Sequence, residues 1–445
     1  MKYFLTLIQL WVGFLSICAS YPKANIWIIP SVESPQVYRN YAQTSKVHLE
    51  MARGEVEHIQ LVFPSKVNEE YRFTFDRYLK GIQISARELK KMNGYYDALV
   101  PFKNQLKCTD TLTAVWITVQ CPSRVPVGKY HQTIKIEGSK HFTIQLDYNV
   151  HHTTIPLKSS IPITVGVENR CMTEGLNDKE ADKERQRWVD FVLSYRMTPV
   201  FGTQISPERW QYEHSFSPWA WNDKRSIRLL NDRRYSCYML PFFTLSENEL
   251  ASLLCNIQKK GKLKESLFYI WDEPAYMEDY EQIKRKVNII RKYASDARIL
   301  TTFFCGPRNG PRKGDLYAVF DYLKHHIHVA TISLAPCKGN EEEVQHIRYK
   351  VPEGIDWWSY VCWQPGGNEP NFLLQMKGIQ QRAVMWRTWK NGSQGFLYWN
   401  CNIYHKRNPF TYITDMPHGD GILIYPGDIL GCKGCLLYTS PSPRD

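Results

Sequence analysis

Outside its N-terminus, the 445-residue chain lacks any long apolar run. No internal segment offers the roughly 20 apolar residues that a membrane-spanning helix needs. The one run present, Tyr3 to Ile17, follows Lys2 and ends at the small residues Cys18-Ala19-Ser20, the pattern of a signal peptide cleaved before Tyr21. Residues 1–20 are therefore expected to be removed. The mature protein is expected to be soluble, without a transmembrane segment, and secreted or held in the lumen of the secretory pathway, extracellular or lysosomal. Acidic residues are also short, 44 against 56 basic ones, for a formal charge of +12. That balance favours anionic partners but says nothing about fold. No basic-aromatic nucleic-acid motif is present, and nucleic acid is not an expected partner. Clustered metal ligands are missing too. His151-His152 and the run His325 to His328 have no acid or cysteine at ligand spacing, and Cys432-Lys-Gly-Cys435 lacks a second pair. Neither a metal nor another cofactor is expected.

Cysteine is moderately used. Of the 12, Cys18 leaves with the signal and two lie in the C-terminal tail, so nine remain. That number is odd, so at least one thiol should be free or paired between chains. Cys108 and Cys121 flank a short strand-like run and are the expected disulfide. The single sequon, Asn391-Gly392-Ser393, falls in a turn and is expected to be accessible for glycosylation. What the chain has in plenty is aromatic residues, 13% of the total with 14 Trp and 27 Tyr, a load suited to an amphipathic ligand such as carbohydrate.

From Ala24 to about Pro156, stretches such as "VEHIQLVFP", "AVWITVQC" and "FTIQLDYNV" alternate or cluster β-branched and aromatic residues between turn signals. Six or more short strands without a helix predict a β-sandwich over residues 21–157. After Pro162 the period changes. Apolar strands are expected at 163–168, 198–202, 237–243, 266–271, 298–304, 328–335, 356–362 and 395–401. Most are separated by helical stripes, one opened by a capping box at Ser246 and Glu249. Eight strands apolar on both faces predict a (β/α)8, TIM-like barrel over 158–427, irregular between its second and third strands. The fold class is thus multidomain, β plus α/β. Residues 428–445, "DILGCKGCLLYTSPSPRD", show no helical stripe and read as translated adapter sequence. A closing helix over the eighth strand is then missing, and low stability is expected.

One stretch carries chemistry. In "SLFYIWDEP" (residues 266–274) a strand ends in Trp271, Asp272, Glu273 and Pro274. In a parallel barrel the site lies at the C-terminal strand ends, and beyond the last ladder bond both acids can turn toward the mouth. The competing reading makes Asp272 a helix cap and Glu273 a surface ion pair.

With "YIWDEP", the segments "DWWSYVCWQPGGNEPN", "RAVMWRTWKNGSQGFLYWN" and "GDGILIYPG" together resemble glycoside hydrolase family 123, retaining β-N-acetylgalactosaminidases with a β-sandwich before a barrel. The resemblance implies a glycan substrate bearing a 2-acetamido sugar and substrate-assisted catalysis, with no enzyme nucleophile. Asp272 would orient the acetamido N–H, and Glu273 would act as acid and then base. Around them Trp271, Trp358, Tyr360, Tyr398 and Trp399 are candidate walls of a sugar pocket. Arg170 and Asn400 are candidates for its hydroxyls. Alternation along a strand would instead turn half of the aromatics outward. Two further readings stay open: a two-carboxylate retaining enzyme with Glu369 as nucleophile, about 5 Å from Glu273, and a secreted glycan-binding protein without turnover. Neither oligomeric state nor the galacto or gluco preference can be read from the sequence.

Overall fold

The computed structural model describes residues 25–76, 81–206, 211–304, 308–311, 313–335, 349, 351–404, 408–409, 416–432 and 436–438. Its N-terminal part is two five-stranded sheets. One runs in the spatial order Trp27–Pro30, Val56–Pro64, Leu112–Gln120, Gln83–Met92, Tyr95–Pro101, all antiparallel. The other runs Lys46–Arg53, His141–Thr154, Gly128–Glu137, Glu70–Phe75, Gln105–Lys107, with its first pair parallel. Alternate residues of both sheets, Leu61, Phe63, Phe73, Ile134, Ile136 and Leu146 among them, close one shared core.

Cys108 and Cys121 are not joined; both are buried free thiols. The run between them is the reason. Leu112–Gln120 is a fully extended nine-residue strand, roughly 30 Å long at about 3.3 Å per residue, whereas a disulfide tolerates about 7 Å between Cα atoms. Cys108 pairs with Glu69 at one end of the sandwich and Cys121 with Glu55 at the other. Cys171, Cys237, Cys255, Cys362 and Cys401 are also free, and Cys432 is disulfide-bonded.

The second part is a nearly closed, barrel-like sheet of nine strands. Eight run parallel and are numbered here in chain order: strand one Ile163–Glu168, two Thr198–Ser206, three Tyr238–Met239, four Ser266–Trp271, five Arg298–Phe303, six Val329–Ser333, seven Asp356–Val361 and eight Phe396–Tyr398. Strand one pairs with both two and eight, and pairing then steps from eight down to three. The ninth strand, Gln211–Ser215, folds back antiparallel on strand two. It reaches strand three through Phe216 N–H to the Met239 carbonyl at 2.6 Å. It occupies the place where the sequence shows its irregularity. One set of alternate side chains, Leu267, Leu300, Val329, Trp358 and Leu397, fills the barrel interior. The other set packs under the helices.

Helices of appreciable length are few among the described residues: Asp178–Ser194, Glu247–Lys259, Met277–Arg291, Leu316–Leu323 and Gly378–Lys390. The Ser246 and Glu249 capping box is formed. The helix at 178–194 buries Trp188, Val189, Val192 and Leu193; Phe191 and Tyr195 are only half-buried. The segment connecting strands six and seven lies mostly outside the described residues. In the tail, Leu436–Tyr438 pairs antiparallel with Ile424–Pro426, so this piece belongs to the fold.

Candidate active site

Strand four supplies the centre of the site. Its pairing with strand five slips between Tyr269 and Trp271, a bulge that spends Ile270 without a partner. Bulges re-aim the side chains that follow them. Two residues on, Glu273 adopts a left-handed backbone, φ +43°, costly for a non-glycine residue and typical of functional sites. The consequence is that neighbouring acids, which a regular strand would send to opposite faces, both stand at the mouth, accessible to solvent.

They are held by strand residues beneath them. The Tyr269 hydroxyl donates to Asp272 Oδ1 at 2.6 Å, and the Thr302 hydroxyl donates to the same oxygen at 2.8 Å. Thr302 in turn accepts from the Glu273 backbone N–H at 2.9 Å. One hydroxyl on strand five thus ties the two acids together. Tyr360, on strand seven, donates its hydroxyl to Glu273 Oε1. The surrounding protein desolvates Glu273, and the Asp272 charge adds to that, raising its pKa to about 7 against the pull of the Tyr360 bond and Arg308. Solvent at the mouth tempers the first effect, but the second acts in the same direction. An acid that keeps its proton near neutrality now sits beside one held by two donors.

Two contiguous cavities open beside Asp272. Gln211, Phe243 and Trp271 wall the first; Gly166, Gly202, Trp399 and Asn400 wall the second; Tyr212, His214, Tyr269 and Asp272 belong to both. Gly166 is obligatory for this shape, since a Cβ there would lie 1.8 Å from the Trp399 carbonyl oxygen. His214 stacks on Tyr269, ring centroids 4.3 Å apart and planes within 15°. Burial alone lowers its pKa to about 3, so it is a neutral ring offering one donor and one acceptor to a ligand.

The expected site residues therefore divide. Asp272, Glu273, Trp271, Trp399 and Asn400 meet at the cleft. Tyr360 also belongs there, as the partner of Glu273 rather than as a sugar platform. Trp358 points inward but is 2% exposed and fills the barrel interior, against Gly395, where a Cβ would overlap its ring. Tyr398 lines the second cavity but packs into the outer layer, edge-on to Phe372, with its hydroxyl accepting from Gly421 N–H. Arg170 is exposed, lines neither cavity, and donates its backbone N–H to the carboxylate of Glu168, which caps the short helix there. Asn391 corrects the glycosylation expectation: it sits in the turn, but it is 0% exposed, closing the 378–390 helix, with no room for a glycan on its amide. Glu369 is ion-paired with Arg387, itself 7% exposed, and lines neither cavity. His151 does meet an acid. Glu50 lies between it and His48 across the sheet, although no group among the described residues has the geometry of a metal site.

A family model for the glycoside hydrolase 123 catalytic domain matches residues 183–437. The chain belongs to glycoside hydrolase family 123. Glycosidase activity comes with that membership. A family 123 glycoside hydrolase from Clostridium perfringens, studied for glycolipid glycan hydrolysis, is similar in structure at a TM-score of 0.64 and 14% identity, covering 94% of this chain and 86% of its own. A Bacteroides ovatus GH5 xyloglucanase (TM-score 0.27, 10% identity, 84% and 95% covered) and a Dictyoglomus thermophilum β-D-glucuronidase (0.31, 9%, 86% and 68%) are too distant to bear on the fold. No curated protein sequence matches. In this family 123 chain, His214, Tyr212, Tyr269 and Thr302 are the cleft residues that sequence patterning did not single out. The tandem acids were the signal that could be found.

Proposed function

We propose that this glycoside hydrolase removes β-linked N-acetylgalactosamine from glycans or glycolipids with retention, by substrate-assisted catalysis on a divergent (β/α)8 barrel. The observation that carries the reading is the unequal treatment of two adjacent acids. Asp272 is gripped on one oxygen by Tyr269 and Thr302, leaving the other for the acetamido N–H. That contact orients the acetamido carbonyl oxygen for attack on the anomeric carbon and stabilises the cyclic oxazolinium that forms. Glu273, protonated up to about pH 7, gives its proton to the departing glycosidic oxygen. It then takes one from the water that opens the ring. The neutral His214 and the Trp271 and Trp399 walls suit sugar hydroxyls and ring C–H faces. Residues 1–20, read as a signal peptide, would send the enzyme to the secretory lumen.

The test is release of 4-nitrophenol from the N-acetyl β-galactoside and β-glucoside side by side, with and without a thiazoline that mimics the cyclised intermediate. Wild type is expected to favour the galactoside and to be inhibited. Glu273→Gln should lose about a hundredfold or more in kcat while still binding the thiazoline. Equal cleavage of sugars lacking the 2-acetamido group, or indifference to Glu273→Gln, would defeat the mechanism.

A further inference from the structure

Between them, the two cavities are walled by strands one, two, four and eight, the antiparallel ninth strand and the segment after strand three. None of their lining comes from strands five, six or seven. Yet strands five and seven grip Glu273, through Thr302 and Tyr360. The acid therefore stands between the cleft and whatever the ends of strands five and seven present. What they present is aromatic. Phe304 follows strand five by one residue, and Trp363 follows strand seven by two. Their ring planes lie within 14° and their centroids 6.3 Å apart. Trp363 is 42% exposed. Its turn is fixed: Cys362 N–H donates to the Gln364 carbonyl at 3.1 Å, and the fully buried Asn371 donates to the carbonyls of Cys362 and Pro365 at 2.7 and 2.8 Å. At no more than about 3.6 Å per residue, Trp363 lies within about 11 Å of chain from Tyr360.

Single exposed tryptophans need no explanation. A tryptophan braced by a second ring, on a turn locked from beneath, three residues beyond the tyrosine that holds the proton donor and outside the lining of both cavities is a prepared binding surface. We propose that Phe304 and Trp363 form the leaving-group subsite, taking the next saccharide unit of the substrate by packing its C–H face on the Trp363 ring. This deepens the proposed function and rests on Glu273 being the acid, because a leaving group must depart past the group that protonates it. A saccharide is the occupant that fits: flat aromatic faces of this kind accept amphipathic rings, and a surface already rigid before binding loses little entropy on taking one. It makes the enzyme selective for a sugar on the reducing side of the cleaved bond.

The experiment compares two substrates. One is a disaccharide with N-acetylgalactosamine β-linked to galactose; the other is the corresponding N-acetylgalactosaminyl azide, whose leaving group is too small to reach the rings. Trp363→Ala should lower the ratio of kcat/KM, disaccharide over azide, by about tenfold or more, mostly through KM, the size expected on losing one aromatic wall. Trp363→Phe should restore most of it, and Phe304→Ala should lower it less. A ratio unchanged in Trp363→Ala overturns the subsite while leaving the acid assignment standing, as does an equal fall on both substrates, which marks a structural role. Wild type that cleaves neither, or Glu273→Gln that cleaves both, removes the underlying reading and this proposal with it.

Discussion

Glu273 concentrates three departures from ordinary behaviour in one residue: a left-handed backbone, a pKa of about 7, and a hydrogen bond from a buried tyrosine. The first positions the carboxyl at the mouth and the second keeps it protonated. The third works against the second, because a donated hydrogen bond favours the ionised form. A pH prediction follows from the sign of that bond. In Tyr360→Phe the lowering influence is lost, the Glu273 pKa rises, and the protonated acid persists to higher pH. The alkaline limb of kcat/KM, near pH 7 in wild type, should move upward by about half a unit to one unit, with kcat reduced several-fold as the carboxyl loses its anchor. A pH–rate profile decides it, and a limb that stays or moves down rejects the Tyr360 role. At this scale the sequence was partly legible. Asp272 and Glu273 could be found because adjacent acids closing an apolar strand are costly unless used. His214 could not: it lies on a short antiparallel strand of polar and mixed residues, "QYEHS", with no periodicity to mark it. Thr302 looks like any small residue of an apolar strand.

Among elements, the parallel strands were legible because burial on both faces leaves continuous apolar runs; strand four falls on the expected residues, 266–271. Strand three did not, shrinking from 237–243 to Tyr238–Met239. The chain leaves the ladder there because Glu213, buried on the ninth strand, accepts the Phe242 and Thr244 N–H groups at 2.8 and 2.7 Å. A carboxylate some thirty residues upstream leaves no local trace in that stretch. The same kind of distant partner decides the role of Glu369. It joins the loop after strand seven to the helix Gly378–Lys390 through the nearly buried Arg387. Glu369→Gln should cost about 1–3 kcal/mol of stability by removing one charged partner from that guanidinium. It should keep kcat within about tenfold. A nucleophile's removal would instead nearly abolish turnover and allow rescue by added azide. Thermal melts and azide titration of the variant distinguish the two, and azide rescue would reinstate the two-carboxylate mechanism.

For the whole molecule, the question is what joins the N-terminal sheets to the barrel-like sheet. Periodicity separates the two faces of a strand, but it does not say which part of a face is covered by a distant part of the chain. Met92, Ala98 and Val100, on the two strands at one edge of a sandwich sheet, pack with Cys171, Ile403, Tyr404, Ile422 and Tyr425 in one buried cluster. Within this joint Tyr425 donates its hydroxyl to Asp97 at 2.6 Å, 328 residues away, with both side chains almost fully buried. A charged acceptor in an apolar seam makes that bond worth more than a neutral one, about 1.5–3 kcal/mol. The cluster also holds Tyr404 and Ile422, which flank the segment carrying Gly421 and Asp420, and Asp420 fixes the Trp399 indole N–H at 2.9 Å. Loosening the joint should therefore reach the cleft wall. Tyr425→Phe is expected to lower the melting temperature by a few degrees. It should raise KM more than it lowers kcat, since Trp399 is displaced while the acids that follow strand four keep their partners. Calorimetry with steady-state kinetics measures both. A melting temperature equal to wild type would mean that the seam holds by apolar packing alone, and an unchanged KM would separate it from the site.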